Sequence, residues 1–148
     1  METNRKIIIG ILIFIFLIAL CSCSSRSENS DSEKPDIVIN DEESYFNDFE
    51  VEEGKVIIKC YYVIYNHTDT TYYIQLRANF EDDQKLGLLK ESQLYAKINI
   101  EDDDTYLEIS PGENKLDVVY VGTFAGIKQR VNRLLPDTDI IISGVCEE

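Results

Sequence analysis

The 148-residue chain carries 28 acidic and 14 basic residues, which give a formal net charge of −14. This charge argues against nucleic acid as a partner, because the phosphate backbone repels an acidic protein. It favours cationic peptides as partners, although solubility alone explains it equally well. A chain of this length is expected to hold one domain.

An uncharged, apolar run extends from Ile7 to Cys21 and follows Arg5 and Lys6. Its 15 residues are fewer than the roughly 20 that span a bilayer. A positive start, an apolar run of this length and a small-residue exit are typical of a secretory signal peptide. We therefore expect residues 1–22 to be a signal peptide, with an uncleaved, slightly short membrane anchor as the alternative. Either interpretation places the remaining chain outside the cytoplasm.

The segment Leu20-Cys21-Ser22-Cys23 ends this run. It resembles the lipobox of bacterial lipoproteins, in which a leucine, a variable residue and a small residue precede the cysteine that is lipidated. The resemblance implies that Cys23 is the lipidated residue and that the chain is anchored to the extracytoplasmic face of the cell membrane. A register that ends at Cys21 fits less well, because the bulky Leu20 would directly precede the cysteine.

A polar segment follows the anchor. Between Ser24 and Asp36 the only residue without a polar side chain is Pro35, so this segment cannot bury apolar surface. Thirteen residues of this kind reach about 20 Å root-mean-square. We expect residues 23–36 to be a flexible tether and residues 37–148 to be the folded domain.

The clearest strand prediction covers Lys55–Tyr65, which is dense in β-branched and aromatic residues. Lys59 marks the solvent face, so the opposite parity, from Val56 to Ile64, is expected to face the core. Residues 66–70 have the composition of a turn, and Tyr72–Phe80 alternates apolar with polar side chains. The two segments are predicted to pair as an antiparallel hairpin.

Shorter strands are predicted in the rest of the chain, whereas the acidic segment 40–54 has no assigned structure. A loop is expected over Glu81–Gly87. A short helix is predicted over Gly126–Leu135, where apolar residues recur every three and four positions before a proline. The remaining predicted strands are Ile37–Ile39, Leu94–Ile100, Thr105–Ile109, Leu116–Thr123 and Ile140–Ile142.

About seven short strands without a long helix predict an all-β fold. We expect an antiparallel, immunoglobulin-like β-sandwich with one short helix before the last strand. Over residues 55–123 the order of a strand, the turn Asn66-His67-Thr68, a strand ending at Phe80 and the later turn Pro111-Gly112 resembles the immunoglobulin-like FxLYD-type domains of bacterial lipoproteins. That family is mostly uncharacterised, so the resemblance implies a fold and little about function.

Two cysteines remain if Cys21 is removed and Cys23 is lipidated. Cys60 lies on the core-facing parity of its strand, and Cys146 shares the parity of the isoleucines at 140 and 142. This parity permits a disulfide between the first long strand and the last, and export permits it as well. Two buried thiols that act as small hydrophobes are the alternative.

Two surface features are candidate binding sites. Lys128, Arg130 and Arg133 form the only basic cluster, which is expected to neutralise the acidic loops of the domain itself. Five tyrosines have the outward parity of their strands, and on one sheet they would form an aromatic face suited to a peptide or glycan. Ordinary cross-strand pairing is the alternative. These tyrosines are Tyr61, Tyr65, Tyr73, Tyr95 and Tyr106.

The sequence offers little that indicates catalysis. His67 is the only histidine and lies in a polar turn, and the acidic runs 81–83 and 101–104 lack the spacing of a calcium-binding loop. We predict no metal, no cofactor and no enzymatic activity. The predicted function is a lipoprotein that carries a non-enzymatic binding module for an unknown cell-envelope protein, peptide or glycan. The alternative is a protective lipoprotein that captures a cationic toxin or antimicrobial peptide.

Overall fold

The computed structural model describes residues 36–128 and 133–146, all within the compact unit Lys34–Glu148. These residues form two antiparallel sheets of four strands each and one short helix, α1 (Glu81–Lys85). Sheet A contains β1 (Ile37–Ile39), β2 (Tyr45–Glu52), β3 (Lys55–Asn66) and β7 (Gly112–Thr123). Sheet B contains β4 (Tyr72–Asn79), β5 (Gln93–Tyr95), β6 (Leu107–Ile109) and β8 (Thr138–Val145). The predicted all-β sandwich is confirmed.

Each sheet is built around one central strand. In sheet A, β3 pairs with β7 along its whole length, and the other edge of β3 is shared by β1 near Asn66 and by β2 near Lys55. In sheet B, β4 pairs with β8, and its other edge is shared by β5 and β6.

The two long sides of the sandwich differ. On one side, Lys97 of the segment after β5 exchanges backbone hydrogen bonds of 2.9 and 2.8 Å with Val119 of β7. On the other side, within the described residues, β1 and β2 pair only with β3, and β8 pairs only with β4. We call this second side, bounded by β1, β2 and β8, the open side. Strand edges with unpaired backbone groups are therefore found there.

The core lies between the sheets and confirms the parity predicted for β3. Its alternate residues from Val56 to Ile64 are buried against apolar residues of β4 and β6. The outward-parity residues Ile57 and Val63 are buried as well, because β3 is flanked by neighbours on both edges.

The predicted hairpin of β3 and β4 is wrong, because the two strands belong to different sheets. The buried side chain of Asn66 shapes the corner between them. Its amide donates hydrogen bonds to the carbonyl of Thr70 at 2.8 Å and to that of Ile109 at 3.2 Å. Its oxygen accepts one from the backbone N–H of Thr68 at 3.1 Å. The chain thus crosses from sheet A to sheet B instead of turning back on itself.

Other boundaries also differ from the predictions. The strand expected over Leu94–Ile100 is limited to β5, and α1 occupies part of the expected loop. Of the helix predicted over Gly126–Leu135, the two ends, 126–128 and 133–135, are not helical, and its centre, 129–132, lies outside the described residues. The signal peptide, Cys23 and the tether up to Pro35 also lie outside them. Nowhere in the described ranges is a helix long and apolar enough to cross a membrane.

Candidate functional site

A cavity of about 870 Å³ lies on the open side of the sandwich. One wall is formed by β1, the start of β2 and the turn between them, and the other by β8 and the segment 133–137 that precedes it. We call this cavity the open-side cleft. Its apolar lining comes from core-packing side chains of both sheets, which include Ile39, Phe46, Ile140 and Ile142.

Tyr62 and Thr138, which line the open-side cleft, belong to a network of hydroxyl groups that extends to Tyr120. The Tyr62 hydroxyl lies 2.8 Å from Thr138 Oγ1, which in turn donates to the Pro136 carbonyl at 2.8 Å. The Tyr120 hydroxyl donates to that of Tyr62 at 3.1 Å. Burial raises the pKa of Tyr62 to about 12 and that of Tyr120 well above its ordinary value. These hydroxyls are therefore protonated at neutral pH and serve as hydrogen-bonding groups.

A second cavity of about 560 Å³ lies beside α1. It shares Phe46 and the segment 133–137 with the open-side cleft. Arg133 lines both cavities, and only 9% of its side chain is exposed. Its Nη1 pairs with Asp83 Oδ1 at 2.5 Å, and its guanidinium carbon lies 4.6 Å from the centre of the Phe49 ring.

The rims of the two cavities are acidic. Asp41, Asp137 and Asp139 line the open-side cleft, and three acidic residues of α1 line the second cavity. Asp139 is paired with Arg77 at 2.8 Å. Among the described residues that line either cavity, Arg133 is the only basic one. The site therefore combines a negative rim with a single buried cation.

The predicted tyrosines do not share one face. Tyr61 and Tyr65 belong to sheet A, where Tyr61 stacks on Tyr45 at 5.1 Å and Tyr65 donates to Glu113 at 2.8 Å. The other three are exposed on sheet B or directly before one of its strands, and they are Tyr73, Tyr95 and Tyr106. The sandwich therefore separates the five residues, and those of sheet A are in cross-strand contacts.

Cys60 and Cys146, for which the sequence left a disulfide and two buried thiols as alternatives, are free thiols in the structure. Cys60 faces the core, where burial raises its pKa to about 12. In β8 the register shifts by one residue between the partners of Tyr73 and Ile74, which reverses the parity beyond Ile142. Cys146 consequently lies on the outer face, where its thiol donates to the Tyr73 hydroxyl at 3.2 Å.

The register shift in β8 is indicated in the sequence by a glycine. Ser143 has no partner on β4, and Gly144 follows it opposite Tyr73. A glycine inside a strand often marks a bulge. The cleft-lining residues had no such signal, because their role depends on which strand edges remain unpaired.

The candidate metal and catalytic residues are not brought together. No group of three or more His, Cys, Asp or Glu within the described ranges has a geometry that could hold a metal ion. The His67 ring stacks against Tyr65 with their centres 6.0 Å apart. In the basic cluster, Arg133 pairs with Asp83, Lys128 lies 5.9 Å from the Phe49 ring centre, and Arg130 lies outside the described residues.

Comparison of the chain with protein-family models, with curated proteins and with solved structures gives no match. The lipobox-like and FxLYD-like resemblances therefore stay predictions from the sequence.

Proposed function

We propose that this chain is a lipid-anchored lipoprotein of the extracytoplasmic membrane face, and that its β-sandwich is a non-enzymatic module that binds an extended peptide. The observation that carries the proposal is the open-side cleft, a cavity of about 870 Å³ between two sets of unpaired strand edges. The sequence alone left the ligand as an envelope protein, a peptide or a glycan, and of these we propose an extended peptide.

The strand edges at the cleft favour an extended ligand. An unpaired edge presents a row of backbone N–H and C=O groups that a peptide can pair with as an added strand. The eight residues of β8 correspond to an edge of about 26 Å, at about 3.3 Å per residue. Ile140 and Ile142 alternate along this edge and line the cleft, so apolar side chains of the ligand would meet apolar surface.

The charge of the site favours a basic peptide. Aspartates line the rim of the cleft, and the whole chain has a formal net charge of −14. An acidic surface attracts cationic partners at long range and accelerates their association. This charge also supports the alternative function, in which the anchored domain captures a cationic toxin or antimicrobial peptide before it reaches the bilayer.

A charge placed in the cleft is expected to weaken peptide binding at least tenfold. Val38 is 42% exposed and lines the cleft, so Val38→Lys adds a positive charge there without disturbing the core. Fluorescence anisotropy with a labelled hexapeptide of alternating lysine and isoleucine measures the dissociation constant. Ile98→Lys is the matched control, since Ile98 is 47% exposed and lies outside both the cleft lining and β8. Equal losses for both variants would contradict the assignment of the site.

The salt dependence of the same binding separates the two functions. Capture by charge alone predicts binding that collapses between 50 mM and 500 mM salt, on the order of a hundredfold, because exposed charges are screened. A ligand held by strand pairing and apolar contacts would retain most of its affinity. Complete loss at high salt would therefore argue for the protective alternative.

The anchor is supported by the apolar run that ends in Leu20-Cys21-Ser22-Cys23. We expect Cys23→Ser to abolish lipidation and Cys21→Ser to leave it intact, because only Cys23 has a small residue directly before it. Metabolic labelling with a fatty acid and mass spectrometry of the membrane fraction measure this. A wild-type chain that still begins at Met1 with an unmodified Cys23 would refute the lipoprotein proposal.

A non-enzymatic role is supported by the chemistry of the cleft. Its buried hydroxyls bond to one another and to a carbonyl, and their raised pKa values oppose a role as base or nucleophile at neutral pH.

A further inference from the structure

Arg133 carries two hydrogen-bond donors that have no partner among the described residues. Nε and Nη2 have no partner and no contact with solvent, whereas Nη1 is paired with Asp83. With 9% of the side chain exposed, the guanidinium has lost its water on that edge. Leaving a buried donor unpaired is unfavourable, most of all for a charged group. A ligand that supplies acceptors would remove this penalty.

The unpaired atoms have a specific geometry. Nε and Nη2 form one edge of the planar guanidinium, with parallel N–H bonds that match the two oxygens of a carboxylate. Asp83 pairs with Nη1 and therefore leaves both N–H groups of this edge available. The Phe49 ring lies 4.6 Å from the guanidinium carbon and restrains the plane of the guanidinium. The donor pair is therefore organised before a ligand arrives.

The position of Arg133 relative to β8 indicates which carboxylate would reach it. The segment 133–137 directly precedes Thr138, the first residue of β8, and lines the cleft. A peptide that adds antiparallel to the free edge of β8 ends at the start of that strand. Its carboxyl terminus would then lie at the end of the cleft where Arg133 is found.

We propose that Arg133 binds the terminal carboxylate of the peptide held in the open-side cleft, through Nε and Nη2. This inference rests on the proposed function. It adds the direction in which the peptide lies along β8 and the requirement for a free terminal carboxylate. A monoanionic carboxylate suits the site better than a phosphate, because Asp82 and Asp137 line the same cavities and repel a second negative charge.

The test compares matched peptides on the full-length chain in detergent. Hexapeptides of alternating lysine and isoleucine are prepared with a free carboxyl terminus or with a terminal amide, and acetate serves as the small-carboxylate probe. We expect the acid form to bind at least tenfold more tightly than the amide at moderate salt. Acetate is expected to compete with the acid form only at millimolar concentration.

Variants identify the residue responsible. Arg133→Gln is expected to erase the preference for the acid form, and Arg133→Lys to remove most of it, because a lysine lacks the paired N–H edge. Lys128→Gln is the control, since Lys128 also lies near the Phe49 ring but is exposed. Thermal unfolding verifies that each variant is folded.

The outcomes separate the two proposals. Equal binding of the acid and amide forms by the wild-type chain would overturn the role of Arg133 while the peptide-binding function stands. A preference for the acid form that survives in Arg133→Gln would overturn the role of Arg133 as well. Acetate binding without peptide binding would refute both the peptide carboxylate and the proposed function. Failure of every peptide to bind would also refute both.

Discussion

Titration of two buried groups is expected to lower the free energy of unfolding by about 4 kcal/mol between pH 8 and pH 11. Burial raises the pKa of the Cys60 thiol from 9.0 to about 12 and that of the Tyr62 hydroxyl from 10.0 to about 12. The unfolded chain therefore releases both protons at lower pH than the folded protein. The stability linked to these groups is complete below pH 9 and is lost as the pH rises towards 12. At pH 11 the thiol accounts for about 3 kcal/mol and the hydroxyl for about 1 kcal/mol.

Urea unfolding at several pH values measures this loss. Cys60→Ala should reduce the loss between pH 9 and 11 by about 2 kcal/mol, and Tyr62→Phe should reduce the loss between pH 10 and 12. Tyr106→Phe is the control, because Tyr106 is exposed. A profile that is unchanged in Cys60→Ala would show that this thiol does not govern the alkaline limit.

Asn66→Ala is expected to destabilise the domain by about 3 kcal/mol, because it removes this donor from the buried bond to the Ile109 carbonyl and from the part-buried bond to the Thr70 carbonyl. The corner between β3 and β4 would also lose the acceptor that bonds Thr68.

The matched control is Asn114→Ala. Asn114 makes a similar set of side-chain hydrogen bonds near the Pro111-Gly112 turn, and those to the turn are exposed. Its replacement is expected to cost less than 1 kcal/mol, since water can replace exposed bonds. Equal losses in equilibrium unfolding by urea would contradict the role assigned to the buried corner.

Local pattern was sufficient to predict the strands β3 and β4 but not their partners, and it did not reveal β2 in the acidic segment 40–54. Alternation from Val56 to Ile64 revealed the core face of β3, because side chains alternate regardless of the sheet that a strand joins. The Asn66 turn was misinterpreted, since the same side-chain bonds that close a hairpin also close a corner between sheets. The face of Cys146 was missed because one extra residue in β8 reverses the parity.

The candidate site was even less accessible to sequence reasoning. Within the described part of the chain, β1, β2 and β8 each lack a second neighbouring strand at the cleft, and this arrangement depends on contacts between distant segments. Arg133 was expected to neutralise acidic loops, and its Nη1 does pair with Asp83. Its guanidinium also packs against Phe49, which is distant in the sequence, and two of its nitrogens have no partner among the described residues. The lipobox-like motif can be recognised from the sequence alone, because its residues are contiguous and are not brought together by folding.

If the chain is anchored through Cys23 as proposed, the short strand β1 would give the domain a mechanical property. β1 has three residues, pairs within the described residues only with β3, and supplies Ile37, Val38 and Ile39 to the wall of the cleft. Any force between the membrane and a bound partner would enter the domain through this strand, because the chain leading from Cys23 continues into it. Three residue pairs resist such a load weakly, so tension would deform the cleft wall before the long strands separate. The cleft would then hold the partner less tightly under load and would release the partner before the domain unfolds.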